Sequence, residues 1–401
     1  MLNKNKRKYA LQYFWVCLLV QLGQIWIHKG LEEIYVKKTK ISFIDGKNGK
    51  LYYRGYRIED LVKYSNYEEV AYLLIFGELP TRRKYEKWIN DLSRERKLSY
   101  GMKIFLQKIP KWNAPIDVLK SGIVYLGLWD RAASNINMGA LYYKIIRILA
   151  KAPSIVAAWY RIRQDSEIID PSPDFNTAQN FLYMLTGEEP DLEIADMFDK
   201  ILILHAEHGM NASAFSGMVT ISTLSDIYSA IISALNTLKG LLHGGATEAI
   251  LKMFKEIGSP DKVKEYVEKK LARKERILGF GHRVYKTYDP RAKILKEIIG
   301  KLTIANEQKA LYEIALKVEE VCMNLLCRTR GICPNIDFFS GIACIALGLS
   351  EDFAPAIFAV SRLAGWIAHI VEYLQENRLI RPRAYYVGEL DKEYTPLDSR
   401  Q

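Results

Sequence analysis

Residues 279–293 read GFGHRVYKTYDPRAK, and the fold turns on how this stretch is taken. Gly279 and Gly281 begin a G-x-G, but Val284 stands where a third glycine would complete the dinucleotide-binding fingerprint. No β-prone run precedes it either, so a doubly wound nucleotide fold is excluded. Asp289-Pro290 instead reads as the N-cap and first residue of a helix through RAKILKEII. Almost every other segment also reads as helical. Pro190 precedes LEIADMFDKILILHAEH, in which Ile194, Met197, Ile201 and Leu204 recur at helical spacing. IYSAIISALNTL and FAPAIFAVSRLAGWIAHIVEYLQ are apolar nearly all round, as buried helices are. Ser65-Asn66-Tyr67-Glu68 reads as a capping box ahead of EVAYLLIF, with Gly77 and Pro80 ending that helix. Strand signal is confined to ISFID and KLYYRG, joined by the Gly46–Gly49 turn. The expected class is all-α with one short N-terminal β-hairpin, any domains being divided at glycine hinges.

At 401 residues, 49% of them apolar and 26% charged, the chain can bury a large core. Of the net charge of +11, five units lie in residues 1–30, where Lys4, Lys6, Arg7, Lys8 and Lys29 meet no acid. The rest is dispersed and lacks the interleaved aromatics of a nucleic-acid surface, so anionic small substrates fit the basicity better than nucleic acid. Cys17, Cys322, Cys327, Cys333 and Cys344 form no C-x-x-C pair. They argue against a disulfide framework or a zinc site and for a reducing, cytoplasmic setting. The basic NKNKRK and the apolar run behind it resemble a signal or anchor. Its uninterrupted part, Tyr13 to Val20, is short for a bilayer, and no cleavage site follows. Residues 1–29 are therefore read as a loosely attached extension or the product of a start codon assigned too far upstream, the alternative being a membrane-surface or partner-binding helix; any membrane contact would be through residues 1–28.

Four of the six histidines fall in three short blocks. In HAEHGMNAS, His205 and His208 are three apart and would share a helix face. They could be metal ligands or polar-satisfied residues at a helix end, and no third ligand lies nearby. In KGLLHGGATEAI, His243 precedes paired glycines and a helix start near Ala246, a setting that disfavours imidazolium and suits a neutral N–H donor. A C-cap glycine pair beside an incidental histidine is the alternative. In the opening stretch, His282 and Arg291 are close enough for the loop to turn both toward one ligand, and Arg291 in a first helical turn suits a carboxylate held bidentately. CPNIDFFSG sets Asp337 among apolar residues that would raise its pKa toward that of a usable base, although an Asp after Pro-Asn is more often a turn residue.

Together, and in this order, HAEHGMNAS, KGLLHGGATEA, GFGHRVYKTYDPRA and PNIDFFSG resemble the citrate synthase family, over about residues 30–395. The resemblance implies a large helical domain (30–244 and 348–401) and a smaller helical one (245–347) that closes over substrates. It implies condensation of acetyl-CoA with oxaloacetate and hydrolysis of the thioester, with no metal or cofactor beyond the co-substrate acetyl-CoA. It also implies Asp337 as base, His243 as enolate stabiliser and His282 as proton donor. His208, Arg291, Arg362 and Arg381 would bind the oxaloacetate carboxylates, the last from the other subunit of a homodimer, and Lys286 would meet CoA phosphates. Leu241 stands where members often have proline, and Met218 where they often have arginine. The alternatives are a 2-methylcitrate synthase using propionyl-CoA, and a catalytically silent partner- or membrane-binding paralogue.

Overall fold

A computed structural model describes residues 26–305 and 309–400. The expected N-terminal extension lies largely outside them. Residues 26–39 form a short unit of their own, with a single helical turn at Lys29–Leu31 and no buried residue in that turn. The chain from Lys40 onward forms one compact unit.

That unit opens with a three-stranded antiparallel sheet: β1 (Ser42–Asp45), β2 (Lys50–Tyr53) and β3 (Tyr56–Arg57). Register pairs Ser42 with Tyr53 and Asp45 with Lys50, as the hairpin reading requires; the two-residue β3 is additional. Helices follow: α1 (Ile58–Tyr64), α2 (Tyr67–Phe76), α3 (Arg82–Glu95), α4 (Tyr100–Gln107), α5 (Pro115–Leu128), α6 (Met138–Arg163), α7 (Thr177–Thr186) and α8 (Leu192–His205). Next come α9 (Ala212–Ser222), α10 (Ile227–Leu238), α11 (Ala246–Ile257), α12 (Val263–Ala272), α13 (Pro290–Ala305), α14 (Lys309–Cys322), α15 (Asp337–Ala346) and α16 (Ala354–Gln375). The all-α expectation holds, with the sheet as its one exception among the described residues.

The core is organised around α16, which is buried without interruption from Ala354 to Val371. It packs against α2, α5, α6, α8, α9 and α10, so apolar residues are required all round it. Helices α11 to α15 pack mainly on one another and reach α8 through α13.

Three local readings need correcting. The α2 cap is Asn66, whose side chain accepts from Glu69 N at 2.9 Å, one residue later than the Ser65 capping box. Glu68 cannot reach back to serve such a box, because it is buried and paired with Arg96. Helix α8 stops at His205, so His208 lies beyond it and the two histidines share no helix face. Gly209, with φ +63°, turns the chain there, and Asn211 starts α9 by capping Ala214 N at 3.0 Å. Finally, Cys327 and Cys333 are disulfide-bonded, although the cysteine spacing argued against disulfides, and this removes the cysteine argument for a reducing compartment. Gly331 in the left-handed region reverses the chain between them and brings their Cα atoms to 4.4 Å.

Helix α16 touches the 206–208 segment so closely that only glycine fits at 365. A Cβ there would press well inside contact distance on the Ala206 carbonyl and the Glu207 carboxylate. Gly365→Ala should therefore cost roughly 1–3 kcal/mol of stability, read as a lower thermal midpoint. An unchanged midpoint would show that the two segments move apart freely.

Candidate functional site

Three irregular segments and one helix converge. Residues 206–211 leave α8, residues 278–289 run into α13, residues 331–336 run into α15, and α16 passes beneath. His208 and His282 face one another with ring centroids 5.0 Å apart, and Tyr285 lies 5.5 Å from the first and 4.8 Å from the second. The Tyr285 hydroxyl meets His208 Nε2 at 3.3 Å. Tyr285 lies within the quoted stretch, three residues after His282, but no pattern in the sequence marks it as a site residue.

His282 accepts backbone N–H groups on Nδ1, from Val284 at 2.9 Å and Tyr285 at 3.1 Å. A nitrogen that accepts carries no proton, so neutral His282 holds its hydrogen on Nε2. Burial, with the charge of Arg291 added, pushes its pKa down to about 4. His208 is lowered well below the ordinary range by burial and by Arg291. His243 falls to about 4 through burial and Arg362. All three are neutral near pH 7.

Arg291 is buried and held by Asp289, whose carboxylate accepts from Arg291 Nε at 3.1 Å and Nη2 at 2.7 Å. Burial alone would lower its pKa, but Asp289 more than reverses that. The fork expected to seize a ligand carboxylate is thus partly taken by Asp289, leaving Nη1 and the free edge of Nη2. Arg362 donates from Nε to the His205 carbonyl at 2.5 Å and lies 4.5 Å from the centroid of the Phe358 ring. Burial lowers it to about 10, still fully charged near neutrality. Phe358 also meets the ring of His205 at 5.2 Å and that of His243 at 6.4 Å.

Asp337 is the first residue of α15 rather than a turn residue, and its amide donates to Asn335 Oδ1 at 3.1 Å. Burial raises its carboxyl to about 6, against the pull of Arg291. His243 sits in the turn before α11, its Nε2 2.8 Å from Ser213 Oγ. That hydroxyl also receives the Trp366 indole N–H at 3.0 Å. Ser213 is legible in HAEHGMNAS only as hydrogen-bonding capacity, and Trp366 only as core.

His205 belongs to the frame instead: Nδ1 meets Ile201 O and Nε2 meets Ser340 Oγ, both at 2.8 Å. Glu207 is a second framing residue that the sequence did not flag. Its Oε1 takes bonds from Ser42 Oγ (2.9 Å), the Gly209 amide and His369 Nε2 (3.0 Å). Lys286 lies exposed at the rim. Arg381 is on the exposed segment after α16, and none of the contacts described above brings it to these groups. His205 and His208 thus turn to different partners, Ser340 and Tyr285, and among the described residues no three His, Cys, Asp or Glu side chains are grouped as metal ligands would be.

A family model described as citrate synthase, C-terminal domain, matches residues 30–383. The citrate synthase of Synechocystis sp. is 43% identical over 372 residues, covering 93% of this chain and 94% of that protein. That of Haloferax volcanii is 43% identical over 383 residues, covering 93% and 99%. Among solved structures, citrate synthase from Thermoplasma acidophilum in ternary complex with carboxymethyl coenzyme A and oxaloacetate superposes with a TM-score of 0.89 at 36% identity, covering 94% of this chain and all of that one. The Thermotoga maritima citrate synthase gives 0.85 at 40% identity, covering 94% and 100%.

The hydrogen-bond pattern makes a spectroscopic prediction. In histidine-labelled protein, ¹⁵N NMR near pH 7 should show His282 as the Nε2–H tautomer, and His243 and His282 should gain protons only near pH 4. An imidazolium signal from either at pH 6 would contradict the geometry.

Proposed function

The chain belongs to the citrate synthase family of carbon–carbon bond-forming acyltransferases, and from that premise we propose that it condenses acetyl-CoA with oxaloacetate and hydrolyses the product thioester to citrate and CoA. The observation that carries this reading is the pairing of a carboxylate raised to about 6, Asp337, with neutral histidines around two buried arginines. Such a set can take a proton from carbon while holding a dianion, and the Thermoplasma acidophilum relative is solved with oxaloacetate and a CoA analogue.

In the proposed sequence, the Asp337 carboxylate removes a proton from the thioester methyl group. The enolate oxygen that develops is met by His243. For neutral His243 to present an Nδ1–H to that oxygen, the Ser213 hydroxyl turns its one hydrogen from Asn211 Oδ1, 2.7 Å away, to His243 Nε2, 2.8 Å away. The enol carbon attacks the ketone carbon of oxaloacetate. His282, its hydrogen on Nε2, protonates the oxygen that becomes the hydroxyl. Water then adds to the thioester carbonyl and CoA leaves as the thiol. Arg291, Arg362 and His208 hold the oxaloacetate carboxylates, and Lys286 at the rim faces CoA phosphate. The proton that Asp337 took from carbon passes to the leaving thiolate, and the attacking water gives up a proton that restores His282 as its hydroxyl joins the carbonyl carbon, leaving citrate's new carboxyl group to ionise. Residues 245–347 form the body that closes, since they carry His282, Arg291 and Asp337 while His208 and Arg362 lie on the other body.

A homodimer completes the site. Residues 381–400 are exposed throughout, including Tyr385, Tyr386, Val387, Leu390, Tyr394 and Leu397. A second copy would cover such a segment and receive Arg381 from it.

Thiol release from acetyl-CoA and propionyl-CoA, each with oxaloacetate, tests the reading. Acetyl-CoA should be preferred, by no more than the 10- to 200-fold or so that one methylene provides. Preference for propionyl-CoA would make the enzyme a 2-methylcitrate synthase, and no release from either would leave a silent paralogue. Because the base must be ionised, kcat should fall as pH drops below about 6. Asp337→Asn should lower kcat at least about 100-fold. Retained activity in that variant would remove Asp337 from the role.

Subunit exchange tests Arg381. Asp337→Asn and Arg381→Ala should each be nearly inactive alone. Mixed and allowed to exchange, they should recover about a quarter of wild-type activity, because half the dimers then carry one intact site. No recovery would place Arg381 in its own subunit's site, and full activity of Arg381→Ala alone would place it outside any site.

A further inference from the structure

We propose that the β1–β2 turn is a positioning element for the reaction, with Gly46 as the residue that lets it latch the 282–288 loop against His208. The catalytic consequence rests on the function proposed above; the latch itself does not.

The turn is built to hold its shape. Asp45 Oδ1 accepts from Lys47 N at 3.2 Å and Asn48 N at 3.1 Å, and Asn48 Nδ2 donates to Asp45 Oδ2 at 2.7 Å. Its Gly46 carbonyl accepts the Lys286 amide at 2.9 Å. A Cβ on Gly46 would drive into the Val284 backbone carbonyl, with the Val284 carbonyl carbon 2.8 Å away and Cγ1 3.1 Å away. Gly46 is not among the residues with positive φ, so its own backbone does not call for glycine; the approach of the loop does. Gly49 approaches the same loop, where a Cβ would lie 2.9 Å from Thr287 Cγ2 and 3.1 Å from the Tyr288 carbonyl.

The other side of the sheet grips the segment that carries His208. Ser42 Oγ donates to Glu207 Oε1 at 2.9 Å. The Tyr53 hydroxyl donates to the Glu207 carbonyl at 2.8 Å and accepts the Glu207 amide at 3.2 Å. A Cβ on Gly209 would lie 3.2 Å from Ile44 Cδ1. One small sheet thus touches the neighbours of both facing histidines. What it touches in the loop matters chemically, because the Val284 and Tyr285 amides fix the His282 tautomer and the Tyr285 hydroxyl meets His208. Shifting residues 284–286 by a few tenths of an ångström disturbs all three bonds at once.

Gly46→Ala separates positioning from general stability. Hydrogen exchange read by mass spectrometry should show residues 282–288 exchanging about tenfold faster or more, with residues 42–53 as protected as in wild type and the thermal midpoint within a few degrees. In turnover, KM for oxaloacetate should rise and kcat/KM fall by about 10- to 100-fold. Lys47→Ala, at an exposed side chain of the same turn, should leave exchange and kinetics unchanged. Unaltered loop exchange in Gly46→Ala overturns the proposal, and so does faster exchange spread equally over hairpin and loop. Faster loop exchange with unaltered kinetics overturns its catalytic part. If wild-type protein releases no thiol from either thioester, the functional reading fails while the exchange comparison still decides the latch.

Discussion

The site is organised by one buried ion pair, Arg291 with Asp289. Both are almost fully enclosed, and an unpaired guanidinium there would carry a desolvation penalty of several kcal/mol. Asp289 removes that penalty through two bonds to the side chain and one to the Arg291 amide at 3.0 Å. Its Oδ2 also accepts the Ile336 amide at 3.2 Å, immediately before Asp337. The pair therefore joins the loop that carries His282 to the helix start that carries Asp337. The buried cation is thus held by a carboxylate of the protein's own.

The field of this pair spreads through the site. Burial keeps His205, His208 and His282 neutral, and the Arg291 charge adds to that effect while also lowering Arg362 and restraining the rise of Asp337. Burial and Arg291 push in one direction for histidine and in opposite directions for Asp337. Burial wins at Asp337 even though the residue begins a helix, where the dipole also favours the carboxylate. Neutral N–H donors, two cations and a weakly basic carboxylate can thus coexist within one enclosure. A dianion entering it would meet guanidinium donors and neutral imidazole N–H groups, with the Arg291 charge already balanced by Asp289.

Much of this was legible in the sequence, for reasons that can be given residue by residue. Helices announced themselves through spacing in α8 and through unbroken apolarity in α16, and the hairpin through its turn residues. His208, His243, His282, Arg291 and Asp337 were marked by short blocks of glycine and polar residues that helices do not ordinarily contain, whereas Arg362, inside the apolar α16, was reached only through the family resemblance. What escaped was non-local. Spacing made His205 the twin of His208, but the α8 end and Gly209 send the two to different partners. Asp289 looked like a cap and is also a counter-ion. Glu207, Ser213 and Trp366 acquire meaning only when segments more than a hundred residues apart meet, as in the bond from Trp366 to Ser213. The Cys327–Cys333 pair escaped because its closure depends on the chain reversal at Gly331.

The loop that carries His282 poses a problem that a helical protein has to solve specifically. Between Gly279 and Asp289 there is no helix to satisfy the backbone, yet the segment lies against the core, where unpaired amides are costly. Its partners can be followed one by one. The Gly281 amide donates to the Cys333 carbonyl at 2.8 Å, and the Gly279 carbonyl accepts the Asn335 amide at 2.9 Å. The Gly281 carbonyl accepts Asn335 Nδ2 at 2.9 Å, and the Asp289 amide donates to the Pro334 carbonyl at 3.3 Å. Val284 and Tyr285 turn to His282 itself, and Lys286 to Gly46. The loop is braced on one side by the strand-like residues before Asp337 and on the other by the hairpin. Its shape is therefore a property of its neighbours, and the glycines at 46, 279, 281 and 331 mark where those neighbours come closest or where the chain must bend. Because the same contacts that satisfy the backbone also aim His282, folding and positioning here are one requirement.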